Sequence, residues 1–119
     1  MGNLTNPTYI KSILNRFDFS FRKKYGQNFL IDNNILLEII DAADITKSDT
    51  VLEIGPGIGT MTEELSKSAD KVIAVEIDKN LVPILGETLF NYSNITIINN
   101  DILKTDIEDF LSHSLPFCI

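Results

Sequence analysis

A chain of 119 residues holds one folding unit at most, long enough to bury roughly two-thirds of its unfolded surface but too short for two separate cores. An apolar share of 44% beside 23% charged residues excludes a disordered or fibrous chain. The net charge of −7 is unevenly spread: residues 1–30 carry Lys11, Arg16, Arg22, Lys23 and Lys24 against Asp18, a net of +4, and the remainder carries five lysines against sixteen carboxylates, a net of −11. Such an acidic body is a poor general binder of polyanions, whereas the basic arm can touch phosphate locally.

Cys118 has no internal disulfide partner, and no basic-plus-apolar leader with a cleavage site opens the sequence. No apolar run approaches the roughly 20 residues of a membrane span. A reducing, cytoplasmic setting is the expectation.

In chain order, apolar residues at Tyr9, Ile10, Ile13, Leu14 and Phe17 recur every three or four positions and predict an amphipathic helix over residues 8–19. Residues 21–30 lack a period and read as an ordered loop or arm. Asp32 is placed to cap a helix over 33–43, with Ile35, Leu36, Ile39 and Ile40 on one face. Thr50-Val51-Leu52-Glu53-Ile54-Gly55 reads as a buried strand ending in glycine, and Pro56-Gly57-Ile58-Gly59 as a tight turn into a helix over 60–69. A second strand follows over 71–76, then a helix capped by Asp78 and reaching about Phe90, with Pro83 near its start, then a third strand over 95–98. A further helix is expected from Asp106 to Leu111. The last eight residues offer no β-branched run for a fourth strand.

Alternating strands and helices predict an α/β fold with right-handed crossovers and parallel strands in the order 3-2-1. In doubly wound folds the first strand is central, so its second edge is expected to stand unpaired here, a liability toward aggregation or partial folding.

The chemistry gathers at the carboxyl ends of these strands. At the turn Gly55-Pro56-Gly57-Ile58-Gly59, glycines let a ligand approach bare backbone at a helix N-terminus. The spacing is G-x-G-x-G, with Thr60 where the last glycine of a pyrophosphate-binding G-x-G-x-x-G would stand, which argues against a dehydrogenase. Glu76 closes the second strand, where an acid can accept both hydroxyl protons of a ribose. Asp101, in Asn100-Asp101-Ile102, follows the third strand, where a carboxylate can accept from an exocyclic amine. Three strand ends thus converge on an adenosine-shaped crevice. His113 and Cys118 lack any neighbouring metal-ligand or base pattern, so neither is assigned chemistry and no metal is expected. The aromatic residues of the arm read as packing rather than as a base-stacking platform.

Tyr25-Gly26-Gln27-Asn28-Phe29-Leu30, Glu53-Ile54-Gly55-Pro56-Gly57-Ile58-Gly59, Val75-Glu76-Ile77-Asp78 and Asn100-Asp101-Ile102 together resemble the ordered motifs of the ribosomal RNA adenine N6,N6-dimethyltransferases, which act on small-subunit rRNA. The resemblance covers about residues 16–111. It implies the N-terminal half of a Rossmann-like, S-adenosylmethionine-dependent methyltransferase fold, a small-subunit rRNA or pre-30S partner, and no membrane. By the same resemblance Asn28 and Leu30 contact the methionine end of the cofactor, Gly55 and Gly57 approach its carboxylate, amine and sulfonium region, Glu76 holds the ribose, and Asp101 holds the adenine amine between Ile77 and Ile102. Arg22, Lys23 and Lys24 fall where the family's basic arm lies near its substrate.

Methylating adenine N6 requires a flipped base whose amine donates to fixed acceptors in line with the methyl group. The family's Asn-Leu-Pro-Tyr motif supplies them, and no such run occurs here; Leu115-Pro116-Phe117 lacks the preceding Asn. The chain is therefore expected to divide into a basic helix and arm (1–30), the N-terminal part of the methyltransferase domain (31–111) and a non-family tail (112–119). The catalytic second half and the C-terminal helical domain are missing from this organisation, so the chain is expected to be a truncated product, inactive by itself. Two other functions are open: a large-subunit rRNA methyltransferase of the antibiotic-resistance type, which shares the motif order, and a noncatalytic cofactor-binding or ribosome-associating fragment, favoured by the missing Asn-Leu-Pro-Tyr run.

Overall fold

The computed structural model describes residues 4–18, 32–106, 108 and 116–118, the last three as backbone only. The strands are β1 (Thr50–Ile54), β2 (Lys71–Glu76), β3 (Ile95–Asn99) and β4 (Pro116–Cys118). They form one sheet in the order β3-β2-β1-β4 with every pairing parallel. The β3-β2-β1 portion is the sheet that the alternating pattern predicts. The unpaired edge is not: β4 lies beside β1, with Thr50 opposite Pro116 and Leu52 opposite Cys118. Backbone groups on a buried parallel edge select whatever segment can pair with them, so three residues without β-branched character suffice. Pro116, lacking an N–H, is tolerated as the first residue of an edge strand.

The helices are α1 (Pro7–Arg16), α2 (Asn33–Ala43), α3 (Thr60–Ser68) and α4 (Val82–Thr88). In α1 the Asn6 side chain accepts from the Thr8 and Tyr9 N–H groups, and Pro7 occupies the first turn, where an N–H would go unused. The helix stops at Arg16, short of the expected residue 19, because Asp18 turns into the left-handed region at φ 51°. Asp32 caps α2 as expected, accepting from Asn34 N–H at 2.8 Å, but the expected apolar face divides. Leu36 is buried and Ile40 packs against the Val51, Leu65, Ala69 and Val72 cluster, whereas Ile35 is 54% and Ile39 38% exposed.

Asp78 does not cap α4. Its carboxylate accepts from Asn80 N–H at 2.9 Å in a local turn, and the helix begins only at Val82. Pro83 dictates this late start: it has no N–H to give, so it must sit in the first turn. The helix ends at Thr88 rather than near Phe90.

Alternation along the strands sends Val51, Val72 and Ile95 to one face of the sheet with Leu65 and Ala69 of the α3 region, and Leu52, Ile73, Val75 and Ile98 to the other. β2 is buried from Val72 to Glu76, as a central parallel strand covered on both sides must be. A further core joins the N-terminal segment and α1 (Leu4, Ile10, Ile13) to Ile58 of the glycine turn and to Leu81, Ile84, Leu85 and Leu89 around α4. At about 25 cal/mol per Å2 of apolar area removed from water, burying each such side chain stabilises by roughly 2 kcal/mol. The glycine turn therefore sits on packed apolar support, not at the end of a free loop. An ion pair of 2.7 Å between Arg16 and Glu87 lies at the rim of this core and is half exposed, so it adds little.

Candidate functional site

β1 ends at Ile54, and the chain leaves it through a turn in which Gly55, Gly57 and Gly59 all take positive φ, 72°, 62° and 96°. Gly55 N–H still donates to Val75 O at 2.9 Å, so the turn departs from the very edge of the ladder. A Cβ on Gly55 would meet nothing within 4 Å: the backbone here borders open space at the carboxyl ends of the strands. At Gly59 the reverse holds, since a Cβ there would lie 2.9 Å from Leu89 Cδ2. One glycine keeps a crevice open, and the other lets the turn settle onto α4.

Glu76, the last residue of β2, is 4% exposed. Its Oε1 accepts from Gly57 N–H at 3.2 Å and its Oε2 from Asp78 N–H at 3.0 Å, which binds the glycine turn to the end of the neighbouring strand. Burial pushes its pKa up from 4.5, and the backbone N–H groups of Asp78, Gly57 and Ile77 oppose that rise. A carboxylate offers about four lone-pair sites, so accepting capacity remains beyond these backbone bonds. β3 is tied to the same point: Asn100 N–H and the Asn99 amide both donate to the Glu76 carbonyl, at 3.1 and 2.8 Å.

Asp101 follows immediately and is only partly buried. Its Oδ1 accepts from Leu103 N–H at 2.9 Å, capping a short 3-10 turn over Ile102–Lys104. Ile77 is 48% exposed, and Ile102 packs partly against the Leu52, Ile73 and Val75 cluster. Gly55, Gly57, Glu76 and Asp101 thus lie around one end of the sheet, on the ends of three adjacent parallel strands. Asn28, Leu30, Arg22, Lys23 and Lys24 lie outside the described residues.

Sequence reasoning missed a second buried acid. Glu53, also 4% exposed, accepts from the Thr62 hydroxyl of α3 at 2.5 Å. Burial, only partly offset by the Thr62 bond and reinforced by repulsion from Glu76, pushes its pKa to about 7. A Thr two residues into a helix, on the face turned to an acid inside an apolar strand, is the signal that would have found this pair. A cleft of about 330 Å3 lined by Asp70, Lys71, Ile73, Ser93, Asn94 and Thr96 lies at the opposite, amino end of β2 and β3, where no glycine turn or buried acid faces it. Among the described residues no group of three or more His, Cys, Asp or Glu side chains is arranged to hold a metal ion. No described helix is long and apolar enough to cross a membrane.

The ribosomal RNA adenine dimethylase model matches residues 18–117. A ribosomal RNA small subunit methyltransferase A from Lachnoclostridium phytofermentans is 58% identical over 112 residues, which are 93% of this chain and 39% of that protein. Across such curated relatives the chain spans about two-fifths of their length. Among solved structures, a dimethyladenosine transferase from Plasmodium falciparum superposes with a TM-score of 0.63 at 33% identity, covering 74% of this chain and 32% of that one. The 23S rRNA methyltransferase ErmE superposes with a TM-score of 0.62 at 38% identity, covering 66% of this chain and 32% of that one. With the predicted sheet, the glycine turn and the strand-end acids in place across the matched span, the chain belongs to the ribosomal RNA adenine dimethylase family.

Proposed function

We propose that this chain forms the methyl-donor cradle of an S-adenosylmethionine-dependent rRNA adenine N6,N6-dimethyltransferase acting on small-subunit rRNA in ribosome biogenesis, in the cytoplasm. The observation that carries the reading is Glu76: a buried carboxylate at the end of the central strand, bonded on both oxygens to backbone N–H groups and retaining accepting capacity for a ribose hydroxyl. The crevice fits an adenosine-bearing ligand on this chain's own terms. Gly55 leaves it open, exposed Ile77 and half-covered Ile102 offer apolar walls to a ring, and the partly buried Asp101 at the third strand end is proposed as the acceptor for an exocyclic amine. Asn28 and Leu30 are proposed for the methionine end. When bound, S-adenosylmethionine supplies an electrophilic methyl group on a sulfonium.

The protein's part in the chemistry is orientation. Glu76 fixes the ribose, the glycine turn brings backbone N–H groups to the amino-acid end, and the walls exclude water from the ring. Arg22, Lys23 and Lys24, in the basic segment 1–30, are proposed to meet rRNA phosphate, with residues 31–111 holding most of the donor. The 119 residues contain no Asn-Leu-Pro-Tyr run to accept the adenine amine, so this chain alone is proposed to bind the donor without transferring its methyl group.

A large-subunit target is the second reading, favoured by the superposition on ErmE. The 58% identity to a small-subunit methyltransferase, against 38% to ErmE, supports the first. Calorimetric titration with S-adenosylmethionine and with a nicotinamide dinucleotide tests the cradle: binding of the former alone is expected, and binding of the dinucleotide alone overturns it. Incubation with labelled donor and undermethylated small subunits is expected to give no transfer. Robust transfer would show that acceptors exist elsewhere in the chain.

A further inference from the structure

Three glycines in five residues make the turn after β1 the most freely rotating backbone in the crevice, and every peptide unit that a ligand must order weakens its binding. The structure holds four successive residues of that turn from separate directions. Gly57 N–H donates to Glu76, the Ile58 carbonyl accepts from the Thr88 hydroxyl at 2.7 Å, Gly59 rests on Leu89, and the Thr60 hydroxyl donates to the Leu4 carbonyl at 3.2 Å. Glu76 faces the crevice; the others hold the turn from behind.

Thr88 is the telling member. It is fully buried in the last turn of α4, where a threonine hydroxyl ordinarily bonds back to the carbonyl four residues earlier, yet it reaches a residue 30 positions away. The Ile58–Gly59 peptide is thereby held at both ends, since Gly59 N–H donates to Pro56 O at 3.0 Å. With that unit fixed, the preceding Gly57–Ile58 unit loses most of its freedom to flip.

We propose that Thr88 is a positioning residue for the methyl donor, its hydroxyl holding the Ile58 carbonyl so that the glycine turn meets the ligand already ordered. It touches no ligand itself and acts through the turn. The inference rests on reading the crevice as a methyl-donor site.

The test is calorimetric titration of the chain with S-adenosylmethionine, with melting temperature measured alongside, for Thr88→Val, Thr88→Ser and Val72→Ala. Val72 is buried at the far end of β2 and serves as a control for stability loss alone. Freeing one peptide unit and leaving its carbonyl unpaired is expected to weaken donor binding about tenfold in Thr88→Val. Thr88→Ser keeps the hydroxyl and is expected to hold affinity within about twofold, as is Val72→Ala despite a comparable fall in melting temperature.

Unchanged affinity in Thr88→Val overturns the proposal. So does a Thr88→Ser loss as large as the valine variant's, or a Val72→Ala loss of the same size, because packing or general stability would then account for the effect. If Thr88→Val fails to fold, the serine chain decides: retained affinity supports the role and lost affinity overturns it. Failure of the unsubstituted chain to bind any donor overturns the reading of the crevice, and this inference falls with it.

Discussion

The two sides of the crevice are built differently, although each presents an acid at a strand end. On the β1–β2 side, Glu53 and Glu76 are both 4% exposed, and their carboxylates hold the glycine turn, the first turn of α3 and the start of the Asp78 loop. On the β3 side, Asp101 is only partly buried and caps a single turn of 3-10 helix. An acid that organises backbone from two strands cannot be lost without moving the site, whereas an acid that caps its own local turn can be. Carboxylates in the same topological place therefore carry unequal structural weight.

The largest expected effect follows from removing Glu76. In Glu76→Ala, the Gly57 and Asp78 N–H groups lose their buried acceptor, and each such loss costs about 1–3 kcal/mol. Thermal unfolding is expected to show about 4 kcal/mol of destabilisation, and titration to show donor binding reduced at least a hundredfold. Glu76→Gln keeps one acceptor and is expected to fall between. Wild-type affinity in the alanine variant would erase the contrast between the two sides.

Glu53 sharpens the contrast through pH. Unfolded, it titrates near 4.5; folded, burial first and the nearby Glu76 charge second raise it to about 7. Between those values the folded chain keeps a proton that the unfolded chain has released, so this contribution is fully present below pH 4.5 and is lost as pH rises through about 7. The loss amounts to about 3 kcal/mol. Glu76 is shifted in the same direction and adds to the decline. Denaturant melts at pH 5 and pH 8 are expected to show the chain weaker at the higher pH, with most of the difference gone in Glu53→Gln. A chain equally stable at both values would mean that Glu53 is ionised in the fold at no cost.

What the sequence discloses divides along the same line. The strands, the turn and the acid at the end of β2 are written locally: a β-branched run, glycines at fixed spacing and a carboxylate at a fixed remove. Asp32, followed directly by a helical period, is equally legible. The start of α4 is not, because Asp78 and Pro83 give competing signals and only the rigid ring decides between them. β4 is invisible to a reading of propensity, since its pairing comes from the free edge of β1, more than sixty residues away. The divided face of α2 is equally nonlocal, since four apolar residues share a stripe and tertiary packing covers only part of it. Thr62 and Thr88 were missed for the same reason: a threonine announces a hydroxyl and nothing about the distant acceptor that gives it a role.

The smallest expected effect belongs to Asp101. Its Oδ1 is committed to Leu103 N–H, so Asp101→Ala loses a cap of about 1 kcal/mol on a turn that is itself largely solvent-facing. If the carboxylate also accepts the donor's adenine amine, its removal costs a further hydrogen bond, and affinity is expected to fall about five- to tenfold while the melting temperature moves little. Asp101→Asn separates the two roles. The amide oxygen still caps Leu103, but a freely rotating amide offers the ligand a donor as often as an acceptor, so stability is expected to recover while affinity does not. Should the asparagine variant regain both, Asp101 would be a cap and nothing more, and adenine recognition on this side would fall to the apolar walls of Ile77 and Ile102.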